Sequence, residues 1–136
     1  MNTLSTELLT TTLTAAFTGL LWIPIIVNRL KEMGPWKALK NPEPDVRPAA
    51  DWAYRLANAH RNAIENLVVF APLAIIVHML QAGNGMTVLA GWLFLGSRIA
   101  HAMIYTLGIP LWRTIAFVIG FGCQMSYALR ILSFAQ

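Results

Sequence analysis

Charge is what this sequence has little of. Only 12% of its 136 residues are Asp, Glu, Lys or Arg, about half the ~25% of an ordinary soluble domain, so the chain lacks the polar coating that a water-facing globule needs. It has one cysteine, Cys123, which excludes an intrachain disulfide and a cysteine-based zinc site. No Lys or Arg precedes Arg29, so the first apolar run lacks the positive flank of a cleaved signal peptide, and it exceeds the usual length of about 7–15 residues. There is no internal repeat and no low-complexity run. Hydrophobic residues make up 57% of the chain, and the mean hydropathy is +0.56. Four membrane helices of ~20 residues would take up roughly 80 positions, which leaves no room here for a separate soluble catalytic domain, a disordered tail or a large extramembrane assembly. The expected fold class is therefore all-α: one integral membrane four-helix bundle over residues 1–136.

The expected spans are about residues 8–28, 52–80, 86–107 and 111–134. In the first, Thr10, Thr11, Thr12, Thr14 and Thr18 can return their hydroxyls to backbone carbonyls, which makes them tolerable in hydrocarbon. Residues 29–51 carry Gly34, Pro35, Pro42, Pro44 and Pro48 among charges of both signs and read as a loop. Asp51 is the expected N-cap of the second span. The segment 81–85 is a tight turn, and Gly108 and Pro110 separate the last two spans.

The net charge is +4 and the pI about 9.7, a balance that could suggest nucleic acid. In a chain this apolar the excess instead marks cytoplasmic loops. Arg29, Lys31, Lys37, Lys40, Arg47, Arg55 and Arg61 are seven of the ten basic residues. They place the first and third connections in the cytoplasm and both termini outside. Arg130 dissents and is expected to snorkel to the outer interface. Trp22, Trp36, Trp52, Trp92 and Trp112 mostly flank spans as interfacial anchors.

Ionisable groups inside membrane helices are costly and point to function. On the second span Arg55, Asn58, Arg61, Asn62 and Glu65 fall within an arc of about 120°, with His60 opposite. On the third, Arg98, His101 and Tyr105 share an arc of about 60°. Arg113 and Thr114 open the fourth, with Phe117, Gly120, Gln124 and Tyr127 on the same stripe as Arg113. Arginines from three spans thus reach one depth, and Arg29 ends the first span on that side. Glu65 can neutralise only one of them. Arginine forks suit carboxylates and phosphates, so the cluster calls for an anion, and an amine on that ligand could meet Glu65. Pairing among these side chains and with lipid phosphates is the plainer reading. His60, His101 and Glu65 occupy divergent faces or separate helices and form no metal site. Cys123 reads as packing, His78 as interfacial, and Gly91, Gly96, Gly120 and Gly122 as points of close helix approach.

The stretch Arg55 to Asn66, RLANAHRNAIEN, resembles the signature of the MAPEG family, the membrane-associated proteins in eicosanoid and glutathione metabolism. Ser97 to Tyr105, followed by Pro110 and Arg113-Thr114, is similar to the third and fourth helices of its prostaglandin E synthase branch, as are Asn28 to Lys31 and Asn41 to Glu43. The resemblance extends from the end of the first helix to Gln136. It implies a homotrimer with a glutathione site between protomers, open to the cytoplasm. By similarity Arg29, Arg61, Asn62, Glu65, Arg98, His101, Tyr105 and Thr114 would bind glutathione, and Arg113 would face its thiol as the catalytic residue. A free thiol has a pKa of ~8.5, and lowering it by about two units takes about 2.7 kcal/mol, which a desolvated guanidinium can supply. The thiolate would attack a lipophilic electrophile or lipid hydroperoxide arriving from the bilayer.

This chain departs from the branch in two ways. The spacing from Tyr105 to Arg113 is one residue shorter, so Trp112 or Arg113 occupies the key position, and only Arg113 has the chemistry. Phe117 stands where the branch has a tyrosine. The function expected is a glutathione-dependent membrane transferase or peroxidase, with membrane lipids and a lipophilic small molecule as partners, no nucleic acid and no metal. A non-catalytic lipid-binding relative is the alternative. A small proton-coupled exporter using Glu65 is disfavoured, because Arg61 one turn before it and Asn62 beside it should hold that carboxylate ionised.

Overall fold

Helices follow the apolar runs, and their ends follow proline and glycine. The computed structural model describes residues 4–44 and 46–134. Residues 1–3 and 135–136 at the ends of the expected domain, and Asp45 in the expected loop, lie outside the described residues. The elements are α1 (Thr6–Leu20), α2 (Trp22–Met33), α3 (Pro35–Ala38), α4 (Asp51–Met79), α5 (Gly85–Leu107) and α6 (Pro110–Phe134). Four segments are long and apolar enough to cross a membrane: Thr6–Met33, Asp51–Met79, Gly85–Leu107 and Pro110–Phe134. The described chain is all-helical, as expected, and its four apolar segments are compatible with a membrane bundle.

The first span differs from its expected form. It is broken at Leu21, because Pro24 has no N–H to donate to the carbonyl of Leu20 and its ring crowds that turn. It also runs on to Met33, so the first five residues of the expected 29–51 loop are helical and Pro35–Ala38 adds a short turn of helix. The second span begins at Asp51, but Asp51 is not its N-cap. Ala50 holds that position without a side-chain bond, and Asp51 instead accepts from Arg47 at 2.7 Å. Glu32 does the capping from a distance: its carboxylate accepts the N–H groups of Ala49 at 3.1 Å and Ala50 at 3.0 Å and the Asn28 amide at 2.8 Å. The last turn of α2 is thereby tied to the first turn of α4.

α5 packs most extensively on α6, while α4 contacts α1, α5 and α6. Their shared core holds Phe70, Ala74, Val77, Phe94, Cys123 and Tyr127, with Phe70 and Phe94 stacked at 3.8 Å between ring centroids. Cys123 is buried in this cluster, as packing requires. The outer face stays apolar, with Leu20, Val68, Met103 and Leu129 exposed, as expected of helices that meet lipid. All five tryptophans are exposed as well.

At the other end of the bundle from Arg113, polar groups satisfy one another. Asn84 caps α5 and exchanges bonds with Thr87. The Thr87 hydroxyl also lies 2.6 Å from the buried carboxylate of Glu7, a residue outside the expected first span. Tyr127 donates to the Thr87 carbonyl at 2.9 Å. Arg130 reaches the α4–α5 turn, its Nε donating at 2.7 Å to the carbonyl of Ala82. Thr10, Thr11, Thr12 and Thr14 bond to carbonyls four residues back, whereas the buried Thr18 hydroxyl has no partner.

Of the four glycines expected at close approaches, Gly91 and Gly120 are at such points, and Gly96 and Gly122 face open space. A Cβ on Gly91 would lie 2.6 Å from Thr10 Oγ1 and 3.0 Å from the Tyr127 hydroxyl. Gly91→Ala should therefore destabilise the bundle by about 1–3 kcal/mol, read as a lower thermal midpoint in detergent. Adding Thr10→Ala should recover most of the loss. No recovery would show that the α1–α5 contact is not the constraint.

Candidate functional site

Arg98 is the centre of the polar cluster on the membrane-embedded helices. It projects from α5 and is only 1% exposed. Nη2 donates to the carbonyl of Ala116 at 3.1 Å and Nη1 to Asn62 Oδ1 at 3.3 Å. Its guanidinium carbon lies 5.6 Å from the Phe94 ring centroid and 5.9 Å from that of Phe117. Gly120 makes the room: a Cβ there would be 2.5 Å from Nη2. Asn62 also accepts from Asn66 at 3.3 Å, and Asn66 accepts in turn from Gln124 at 3.0 Å. A ladder of neutral amides thus joins α4 to α6, with Arg98 of α5 at one end. Among the described residues no carboxylate pairs with Arg98; the ion pair found there is Arg47–Asp51. A buried charge held only by neutral acceptors carries a desolvation cost that the chain does not offset with an opposite charge.

Further along the same face of α5 come His101 and Tyr105, with ring centroids 5.6 Å apart. Arg113, from the first turn of α6, lies over the Tyr105 ring at 4.6 Å from guanidinium carbon to centroid, within cation–π range. Its own side is exposed, as is that of Thr114. Asn62, Arg98, His101, Tyr105 and Arg113 are therefore brought into one run along the α4–α5–α6 seam.

The other expected ligands are not. Arg61 and Glu65 are exposed on α4 and make no ion pair with each other, so the expected pairing that would hold Glu65 ionised is not made within the chain. One turn of helix separates them, but both point outward, where their long side chains are free to part. Arg29 lies on α2 and lines a cavity under the first connection that none of the other site residues lines, and its buried Nε has no partner. Of the arginines expected to converge, Arg98 is buried, Arg55 and Arg113 lie against α5, Arg61 is exposed and Arg29 lines that cavity.

Two long-range contacts went unread in the sequence. Arg55 donates through Nε to the Thr106 carbonyl at 2.9 Å and packs its guanidinium against Gly108, 3.2 Å from where a Cβ would sit. Gly108 closes α5 at φ +78°, a conformation that disfavours a side chain. Arg55 thus pins the α5–α6 turn from which Arg113 is presented. The signal available was Gly108 and Pro110; the partner 51 residues away carried none. Glu7 is the second, because a buried carboxylate in the first turn of α1 is invisible until Thr87 is seen against it.

If Arg98 is kept for a ligand, losing it should not harm the fold. Asn62 would keep its bond from Asn66, and removing an unpaired buried charge also removes its desolvation cost. Arg98→Met should therefore melt at or above the parent temperature. A marked drop would make Arg98 a structural residue.

Comparison with known proteins reaches the same family as the motif. The MAPEG family model matches residues 8–133. Similar curated proteins include "Microsomal glutathione S-transferase 1" from Homo sapiens, 30% identical over 83 residues, which is 60% of this chain and 54% of the relative. The protein of that name from Sus scrofa is 33% identical over 79 residues, 57% of this chain and 51% of its own. That from Bos taurus is 32% identical over 83 residues, with 60% and 54% covered. The matched stretch spans about half the length of these relatives. With the motif on α4, the polar run along α5 and α6 and a family match over nearly its whole length, the chain belongs to the MAPEG family.

Proposed function

We propose that the chain is a glutathione-dependent membrane transferase or peroxidase. The observation that carries this reading is Arg98, a buried guanidinium with neutral partners only, on the same side of the bundle as the exposed Arg113. Family membership and the glutathione transferases among its relatives supply the ligand class. Glutathione has two carboxylates and an amine, and it would answer the excess of arginine. Arg98 and Asn62 would hold one carboxylate, with His101 and Tyr105 as neighbouring donors. Arg113 would face the thiol.

Arg29, Arg61, Glu65 and Thr114 join this site only through a second copy of the chain. Arg61, Glu65, Arg113 and Thr114 are exposed on a single chain, and charge facing hydrocarbon is costly. A homotrimer with glutathione between protomers and the site toward the cytoplasm would cover them, with Arg29 and the Arg61–Glu65 face reaching it from different subunits. Arg113 would then act in a desolvated setting, favouring thiolate over thiol and leaving the sulfur lone pair ready to attack an electrophile from the bilayer. Arg55 positions the turn that carries Arg113. The Tyr105 ring beneath the guanidinium limits where the charge can swing.

The test is the thiol's own titration. With pKa lowered by about two units, the bound thiol is mostly thiolate at neutral pH, against a few per cent for a free one. Thiolate rises with pH, so the parent's thiolate absorbance and its rate with a model electrophile should rise through about pH 6.5. In Arg113→Ala that inflection should move back toward about 8.5 and the rate at pH 7 should fall about 20-fold, with the oligomer's size unchanged. Identical profiles would overturn the role of Arg113.

A further inference from the structure

The amide ladder has a direction, and elementary chemistry sets it. A guanidinium donates hydrogen bonds and accepts none, so the Asn62 atom that faces Arg98 Nη1 at 3.3 Å is the carbonyl oxygen Oδ1. Asn66 meets Asn62 through one atom, 2.9 Å from the Asn62 backbone carbonyl and 3.3 Å from Asn62 Oδ1. Two acceptors face that atom, so it is the amide nitrogen, and Asn66 Oδ1 is left on its other side. Gln124 approaches there, with one atom 3.0 Å from Asn66 Oδ1 and 3.3 Å from the Asn66 backbone carbonyl. That atom must donate as well and is Nε2. Reversing any one of the three amides would set two acceptors or two donors against each other in a buried place.

The ladder therefore delivers donors toward Asn62 and ends there. Gln124 and Asn66 are buried, and Asn62 is half-buried. Asn62 Oδ1 takes the bonds from both Arg98 and Asn66, and among the described residues Asn62 Nδ2 donates to no group. What Asn62 offers a ligand is thus a pair of N–H groups, suited to a carboxylate or carbonyl oxygen and unsuited to an amine. Arg98 decides which way round the carboxamide sits, but a single bond at 3.3 Å is long and holds a half-exposed side chain weakly. Asn66 supplies the second bond to that oxygen. Gln124, 58 residues further on, keeps Asn66 turned so that it can.

We infer that Asn66 and Gln124 are positioning residues for glutathione: they act through Asn62, fixing its carboxamide so that its N–H groups meet an oxygen of the tripeptide. The inference rests on the glutathione site proposed above and extends it to Gln124, about three helical turns beyond Arg113 on α6.

Two variants test it. Gln124→Met removes the donor at similar volume and leaves Asn66 Oδ1 unpaired. Gln124→Met combined with Asn66→Leu removes both partners, which leaves no orphaned acceptor and recovers the fold should the single variant lose it. Glutathione affinity, read by calorimetry, should fall about tenfold in both. The rate with a model electrophile at saturating glutathione, and its inflection at about pH 6.5, should stay at the parent values because Arg113 is untouched. With asparagine isotopically labelled, the Asn66 side-chain N–H signals are identified by their loss in the double variant. In ligand-free protein they should exchange with solvent about tenfold faster in Gln124→Met than in the parent. Parent-like affinity in the folded double variant would overturn the inference, since a ladder that serves only the fold is repaired by removing both partners. Unchanged Asn66 exchange in Gln124→Met would overturn it too. A parent that binds no glutathione would overturn the proposed site and this inference with it, whereas binding that is equal in the parent and both variants would overturn this inference alone.

Discussion

A guanidinium buried in a membrane bundle without a carboxylate beside it is the constraint on which the rest depends. Arg98 is given neutral acceptors from two neighbouring helices, Asn62 on α4 and the Ala116 carbonyl on α6, and Gly120 gives up its side chain to admit it. A charge in such a place adds little to stability in the absence of an anion. The amide ladder of Asn62, Asn66 and Gln124 joins α4 to α6 beside the charge.

The rest of the molecule places the second arginine. Gly108 turns the chain out of α5 in a left-handed conformation, Pro110 starts α6, and Arg55 reaches from α4 to clasp the turn. Arg113 follows within the first turn, laid over Tyr105. The two arginines thus differ in kind. Arg98 is buried and held by Asn62 and the Ala116 carbonyl. Arg113 is exposed at the chain's surface, where a partner or a ligand must complete its surroundings. In the proposed reaction that division would separate binding from activation.

Much of this is readable from the residues. The four spans follow hydropathy, the family follows the Arg-Asn-x-x-Glu element on α4, and the 98, 101, 105 spacing places three polar side chains on one face of α5. What fails is whatever depends on distant neighbours. Periodicity puts Arg61 and Glu65 on a common face but cannot say that this face points outward, since inside and outside are set by where α1, α5 and α6 lie. Asp51 suggests the cap of α4 because it is local; Glu32 takes that role by reaching across 17 residues with two acceptors. Pro24 is present to be read, and its effect, a break at Leu21, is the ordinary result of a missing donor. Thr18 keeps an unpaired hydroxyl in the helical turn beside that break.

The central claim is that Arg98 is held for an anionic peptide thiol. Calorimetric titration of glutathione into the purified protein and into Arg98→Met tests it most directly. A hydrogen bond between a charged side chain and its ligand is worth about 1.5–3 kcal/mol, so affinity should fall about 10- to 150-fold in the variant while its melting temperature holds. Equal affinities, or no binding to the parent at all, would contradict the account.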